Sequence, residues 1–142
     1  MTESTKPVRV LILCTGNSAR SQLAEGLLRH DGGELVEVES AGTHPWIVSP
    51  WAIEAMEEIN IDISGHRSKS IDEFVGESFD FLITVCDSAK ESCPAMPGVK
   101  DTIHWSIDDP SFLPEAERLD GFRRARDELR ERLRGFVEER VR

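Results

Sequence analysis

The feature that most constrains this chain is the passage from Val8 to Arg29. The run Val8 to Leu13 is β-branched and leucine-rich, and it reads as a buried strand. The loop Cys14-Thr15-Gly16-Asn17-Ser18-Ala19-Arg20-Ser21 follows at once, and from Ser21 to Arg29 apolar residues recur at helical spacing. A buried strand feeding a helix is the first half of a β-α-β unit, which places a parallel strand beside the first. The junction also points free backbone N–H groups and the positive end of a helix dipole at one spot. An oxyanion placed there is held by the loop, Thr15 to Ser21. Cys14 lies at the rim, where the same field favours the thiolate. Arg20 can fork onto two anion oxygens, and Ser21 can hydrogen-bond the sulfur. The pattern describes a nucleophilic thiolate beneath a bound tetrahedral oxyanion. The bland alternative is a buried strand-end cysteine beside a surface arginine. The glycine inside the loop and the Cys-x5-Arg-Ser order at a strand-to-helix junction favour the anion site.

The rest of the chain continues the alternation. The first helix runs from about Ala19 to His30 and is stopped by Gly32-Gly33. Val36 to Ser40 alternates and reads as a second strand. Ser49-Pro50 looks like an N-cap with proline at the first helical position, opening a second helix. Ser70 to Phe74 suggests a short helix. Phe79 to Val85 reads as a third strand ending at Cys86. Asp87 to Cys93 suggests another short helix, capped by Asp87 or Ser88 and stopped by Pro94 and Pro97. Thr102 to Ile107 reads as a fourth strand. From about Pro114 to Val141 a long helix carries one apolar stripe, Leu119, Phe122, Leu129, Leu133 and Phe136 or Val137. The expectation is one α/β domain over residues 1–142, a four-stranded parallel sheet with helices on both faces. In such a sheet the residues after each strand share one edge, so Cys14, Cys86 and Asp109 can meet.

Charge narrows the partners. The net charge is -10, with 27 acidic against 17 basic residues, which argues against nucleic acid or anionic membranes. No apolar stretch approaches membrane-spanning length, and Met1 to Lys6 is polar and unlike a signal peptide. A cytoplasmic protein is expected. Three cysteines in a reducing compartment argue against a structural disulfide framework and for nucleophilic or redox chemistry. Their spacing fits no common zinc pattern, and no histidine has a partner at ligand spacing, so no metal is expected.

Two further signals lie beyond the loop. Asp109 precedes Pro110 just after the fourth strand, where a carboxyl group could protonate a leaving oxygen. Alone, Asp-Pro is more often a turn, and Asp108 is the fallback acid. Cys86 and Cys93 lie seven residues apart, a rise of roughly 10.5 Å on an intact helix. A disulfide needs Cα atoms within about 7 Å, so the pair can close only where that helix is melted or absent. Two unrelated buried thiols are the plain alternative.

With these residues in view, the chain resembles the thioredoxin-coupled arsenate reductases of the low-molecular-weight protein tyrosine phosphatase fold. The resemblance covers nearly the whole chain. It rests on Cys14 to Gln22, Ser40-Ala41-Gly42, Ala52 to Met56, Ile61 to His66, Val85-Cys86-Asp87, Cys93-Pro94, His104-Trp105 and Asp108-Asp109-Pro110. The phosphatases share the loop and the aspartate but lack the Cys86 and Cys93 pair. They usually carry tyrosine after their Asp-Pro, whereas Ser111-Phe112 follows here and the chain has no tyrosine.

The resemblance implies a three-thiol relay. Cys14 attacks an arsenate held by the loop and Arg20, Asp109 protonates the departing oxygen, and Cys86 resolves the adduct. Cys93 then takes over the disulfide with Cys86, and thioredoxin, an external reductant, reduces it. No bound cofactor is implied, and phosphate and sulfate are expected to compete with arsenate for the loop. A monomer is expected. Some members of the family bind potassium near the loop, using residues that match Asn17, Glu25 and Ser40 and an aspartate where this chain has Lys69. A lysine ammonium there would replace the ion and pair with Glu25, although a solvated side chain is equally compatible with sequence. The alternative functions are a phosphatase acting on phosphotyrosine or small phosphate esters, an enzyme attaching arsenate to a low-molecular-weight thiol, and a non-catalytic phosphate-binding or redox-sensing module.

Overall fold

The computed structural model describes residues 6–142, so the polar stretch Met1 to Lys6 lies, but for Lys6, outside the described residues. Strand β1 is Val8–Cys14, followed by helix α1, Arg20–Gly32. Gly33 ends α1 with a positive φ of 52°, a conformation that glycine adopts without steric cost. Strand β2, Val36–Gly42, runs parallel to β1 in a register that sets Cys14 opposite Gly42. Helix α2, Pro50–Glu57, opens as its sequence suggests: the Ser49 hydroxyl accepts from the Trp51 N–H at 3.2 Å, and Pro50 takes the first turn. Strand β3, Phe79–Thr84, precedes helix α3, Asp87–Ser92, and strand β4, Val99–His104. Helix α4, Glu115–Phe136, closes the fold and continues as a wider turn over Val137–Val141.

All pairings are parallel and the sheet order is β2-β1-β3-β4. The chain steps one way across the sheet through α1 and the other way through α3, so right-handed crossovers set these helices on opposite faces. Val10, Leu11, Ile12 and Leu13 are all fully buried. Adjacent strand residues point to opposite faces, so the central strand is covered on both sides. Helix α4 packs along α1 and buries Phe122, Leu129, Leu133 and Phe136 of the predicted stripe, with Leu119 half-buried at its start and Ala125 buried beside them. Among the described residues, no helix is long and apolar enough to cross a membrane.

Some boundaries differ from expectation. Strand β4 begins at Val99 rather than Thr102 and ends at His104 rather than Ile107. It is an edge strand whose Lys100, Asp101 and Thr102 face solvent, so it lacks the apolar alternation that marks a strand. Residues 105–107 still bond back to β3, Trp105 N to Thr84 O at 2.9 Å and Ile107 N to Val85 O at 3.4 Å. Neither Asp87 nor Ser88 caps α3: Cys86 holds the N-cap position with no side-chain cap bond, and Asp87 is the first helical residue. The long helix starts at Glu115, after Pro114.

Candidate active site

The loop from Cys14 to Ala19 is shaped from outside. Its carbonyls are held in turn: Cys14 by Thr43 N (3.2 Å), Thr15 by His44 N (2.8 Å), Gly16 by Trp46 N (2.9 Å) and Ser18 by Ser49 N (2.9 Å). Gln22 Nε2 donates to the Asn17 carbonyl at 3.1 Å, and the Ser68 hydroxyl adds a second bond to Gly16 at 3.0 Å. A peptide plane whose C=O points outward directs its N–H the other way. Five consecutive carbonyls anchored outward therefore leave the loop amides converging inward, which is the geometry of an anion cradle. Gly42 makes this anchoring possible. A Cβ there would lie 2.4 Å from the Thr15 carbonyl oxygen and 2.8 Å from Asn17 N. Only glycine lets β2 come so close to the loop.

Asn17 and Ser21 are fully buried and support the loop from behind. Asn17 sits at a positive φ of 47°, a conformation that asparagine tolerates better than most residues. Its amide nitrogen donates to Ser21 Oγ at 2.8 Å and Ser40 Oγ at 2.9 Å, and its oxygen accepts from Lys69 N at 2.8 Å. Ser21 Oγ in turn lies 2.7 Å from Cys14 Sγ, the contact that the sequence suggests. Thr15, Gly16, Ser18, Ala19 and Arg20 line the open cleft above the sulfur.

Arg20 extends across the mouth. One terminal nitrogen donates to the Ile107 carbonyl at 2.8 Å and the other meets Asp109 Oδ2 at 3.2 Å. Its Nε is buried with no hydrogen-bond partner, the one such side-chain atom among the described residues. An orphaned guanidinium N–H beside inward amides is a donor suited to an anion oxygen. Asp109 is held from its other oxygen, Oδ1, by the Ser111 N–H at 2.9 Å. Asp108, the fallback, is exposed.

Burial pushes the Cys14 thiol up from its ordinary value, against the lowering pull of the Ser21 hydroxyl, the Ser21 N–H and Arg20. The expected thiolate-favouring contributions are present, and burial works against them. Cys14 is only 3% exposed, and Arg20 has a carboxylate partner of its own in Asp109.

The other two thiols divide. Cys86 is buried at the same edge, with Sγ 3.3 Å from Thr15 Oγ1 of the loop. Cys93 is half-buried at the far end of α3, where burial pushes its thiol up and Sγ lies 3.4 Å from the Pro94 carbonyl. The helix between them is short, and Ala89 is its only buried residue. Its one side-chain tie outside the helix runs through Asp87, which accepts from Ser106 Oγ at 2.7 Å and meets His104 Nε2 at 2.8 Å. These two groups hold the Asp87 carboxyl below its usual range.

Beneath the loop, Lys69 is 7% exposed, with its ammonium 3.6 Å from Glu25 and 3.5 Å from Glu39. It is a buried partner of Glu25 rather than a solvated side chain. Burial would raise the Glu25 carboxyl, but the Ser40 hydroxyl, Lys69, His66 and Arg29 together hold it below its ordinary value. Sequence reasoning missed the rim. Trp46 and Phe112, 74% and 88% exposed, line the same cleft from two different loops. Isolated aromatics in loops carry no periodic signal that would mark them.

A single cysteine in an outward-anchored loop after the first strand of a parallel sheet, with an aspartate from beyond the last strand at its mouth, defines a phosphatase-like oxyanion site. The chain belongs to the low molecular weight phosphotyrosine protein phosphatase family, whose pattern matches residues 9–142. An arsenate reductase of Halalkalibacterium halodurans is 42% identical over 131 residues, covering 91% of this chain and 94% of that protein. An arsenate reductase solved in a phosphate-binding state superposes with a TM-score of 0.79 at 30% identity, over 95% of this chain and 99% of that one. A thioredoxin-dependent arsenate reductase of Corynebacterium glutamicum superposes with a TM-score of 0.75 at 29% identity, over 95% of this chain and 63% of that one.

Proposed function

We propose that this protein reduces arsenate to arsenite through Cys14, Cys86 and Cys93, with thioredoxin as the external reductant. The observation that carries the reading is the second buried thiol, Cys86, hydrogen-bonded to Thr15 of the anion loop. A hydrolase of this architecture needs one thiol. A two-electron reduction needs a second within reach of the first. The arsenate reductases among its relatives support the same substrate.

In the proposed sequence the loop amides and Arg20 hold arsenate over Cys14. The Cys14 thiolate attacks arsenic, and one oxygen leaves as water with a proton from Asp109. The Cys86 thiolate then attacks Cys14 Sγ. The sulfur–arsenic bond breaks, its electron pair stays on arsenic, arsenite departs, and a Cys14–Cys86 disulfide remains. Cys93 attacks Cys86 and frees Cys14, and thioredoxin reduces the resulting Cys86–Cys93 bond to two thiols. The direct test is arsenite production with thioredoxin, thioredoxin reductase and NADPH, compared with glutathione and glutaredoxin. Turnover with the thioredoxin system is expected. No arsenite with either reductant, alongside brisk hydrolysis of aryl phosphates, would make the protein a phosphatase.

Two results should accompany this. Asp109→Asn should lower kcat by about 10²–10⁴ with a smaller effect on anion affinity, because the acid acts on the departing oxygen. Asp108→Asn should stay near wild type. The reverse pattern would give the acid role to Asp108. Exchanging potassium for sodium at fixed ionic strength should leave activity nearly unchanged, because the Lys69 ammonium already sits beside Glu25. Strong activation by potassium alone would restore a separate cation site.

A further inference from the structure

Behind Asp109 lies helix α4, none of whose residues lines the anion loop's cleft. The turn after the acid, Pro110–Phe112, and Leu113 that ends it pack against this helix at two points. The first is Gly121. A Cβ at Gly121 would lie 2.3 Å from Leu113 Cδ1 and 3.1 Å from Pro110 Cβ. The leucine tip can swing aside. The proline ring cannot: Pro110 is buried and is bonded directly to Asp109. The second point is Arg118, whose Nε and a terminal nitrogen both donate to the Leu113 carbonyl, at 3.1 and 2.8 Å. Leu113 N closes the turn on Pro110 O at 3.2 Å.

Glycine is disfavoured inside a helix. The same helix supplies a contrast. A Cβ at Gly135 would meet nothing within 4 Å. At 121 the space for a side chain is closed by the acid's turn, whereas at 135 it is open.

We propose that Gly121 and Arg118 are positioning residues for proton donation, setting the Asp109 carboxyl over the cleft from behind. A carboxyl fixed at Oδ1 by the Ser111 N–H, on a turn whose Pro110 and Leu113 pack against α4, keeps Oδ2 at the mouth, 3.2 Å from Arg20. A few tenths of an ångström at Pro110 pass directly to that oxygen. The inference rests on Asp109 as the acid.

The test is kcat/KM over a series of aryl phosphates, from nitrophenyl to phenyl esters. Acid assistance matters most for the more basic leaving group. Gly121→Ala and Arg118→Ala should each lose about tenfold on phenyl phosphate and progressively less as the leaving group becomes more acidic. In arsenate reduction the same variants should lower kcat with KM nearly unchanged. Gly135→Ala should do neither. Arg118→Ala also removes the guanidinium from above the Trp51 ring, 5.6 Å away, so Arg118→Lys is the companion variant. Lysine can still reach the Leu113 carbonyl and should recover part of the loss. If Gly121→Ala loses cooperative melting, the arginine pair carries the test alone. Losses uniform across the ester series, or none, would overturn the inference. Asp109→Asn is run beside them: a flat response from that variant would remove the acid assignment itself, while a steep one with flat Gly121 and Arg118 variants would remove only their positioning role.

Discussion

Replacing Cys14 with serine is expected to abolish arsenate reduction and aryl phosphate hydrolysis together. Both need a thiolate attacking from the floor of the loop, and a hydroxyl in that place stays protonated and is a far weaker nucleophile. The loop itself should survive. Its shape comes from carbonyls tethered to Thr43, His44, Trp46 and Ser49 and from Asn17, none of which involves the sulfur. The variant should therefore still bind inorganic phosphate by calorimetry or protection of loop amides while turning over nothing. Residual reduction above a few per cent of wild type would place the nucleophile elsewhere.

The resolving thiols should separate reduction from hydrolysis. Cys86→Ser is expected to permit one attack on arsenate and then stop, with Cys14 left without a resolving partner. Cys93→Ser should stop one step later, at a Cys14–Cys86 disulfide that mass spectrometry can identify. Both should lose thioredoxin-coupled turnover by orders of magnitude and retain slow hydrolysis of an aryl phosphate, which needs the loop, Arg20 and an acid. Oxidised wild type should show Cys86–Cys93 and faster amide exchange across Asp87 to Ser92 than the reduced form. The two cysteines bracket the helix Asp87–Ser92, and one disulfide cannot span its rise. Full turnover in Cys93→Ser, or exchange that does not change on oxidation, would leave the phosphatase or the thiol-transferase reading ahead.

The anion loop was legible because its parts are consecutive: a buried strand, a Gly-containing loop, an arginine and a helix need no long-range knowledge. Asp109 was legible because parallel strands bring their C-terminal ends to one edge. What tethers the loop was not. Thr43 to Ser49 bind it through backbone N–H groups, which every residue but proline carries, so no side-chain pattern betrays them. Strand β4 was shifted by three residues because an edge strand need not alternate. Asp87 looked like a cap, but its carboxylate turns to Ser106 and His104, which only the folded sheet brings near. Lys69 was ambiguous because lysine is normally solvated, and its burial between Glu25 and Glu39 depends on strand β2 lying alongside. The burial that opposes the Cys14 thiolate was not legible either, because residue type shows the loop's donors and not the depth of the residue beneath them.

The slight anchoring of α3, six residues with Ala89 alone buried, has an electrochemical consequence under the proposed relay. The Cys86–Cys93 dithiol can keep the helix and the disulfide cannot, so the folding equilibrium of α3 adds to the reduction potential of the couple. Each tenfold gain in helix stability would make the disulfide more oxidising by about 30 mV, and so easier for a reductant to restore. The same gain would slow the attack by Cys93, which requires the helix to open. A strongly packed helix would give a disulfide that is readily reduced but seldom formed. A helix this short and shallow lets one segment serve both half-reactions, and its stability becomes the quantity through which the couple's potential is tuned.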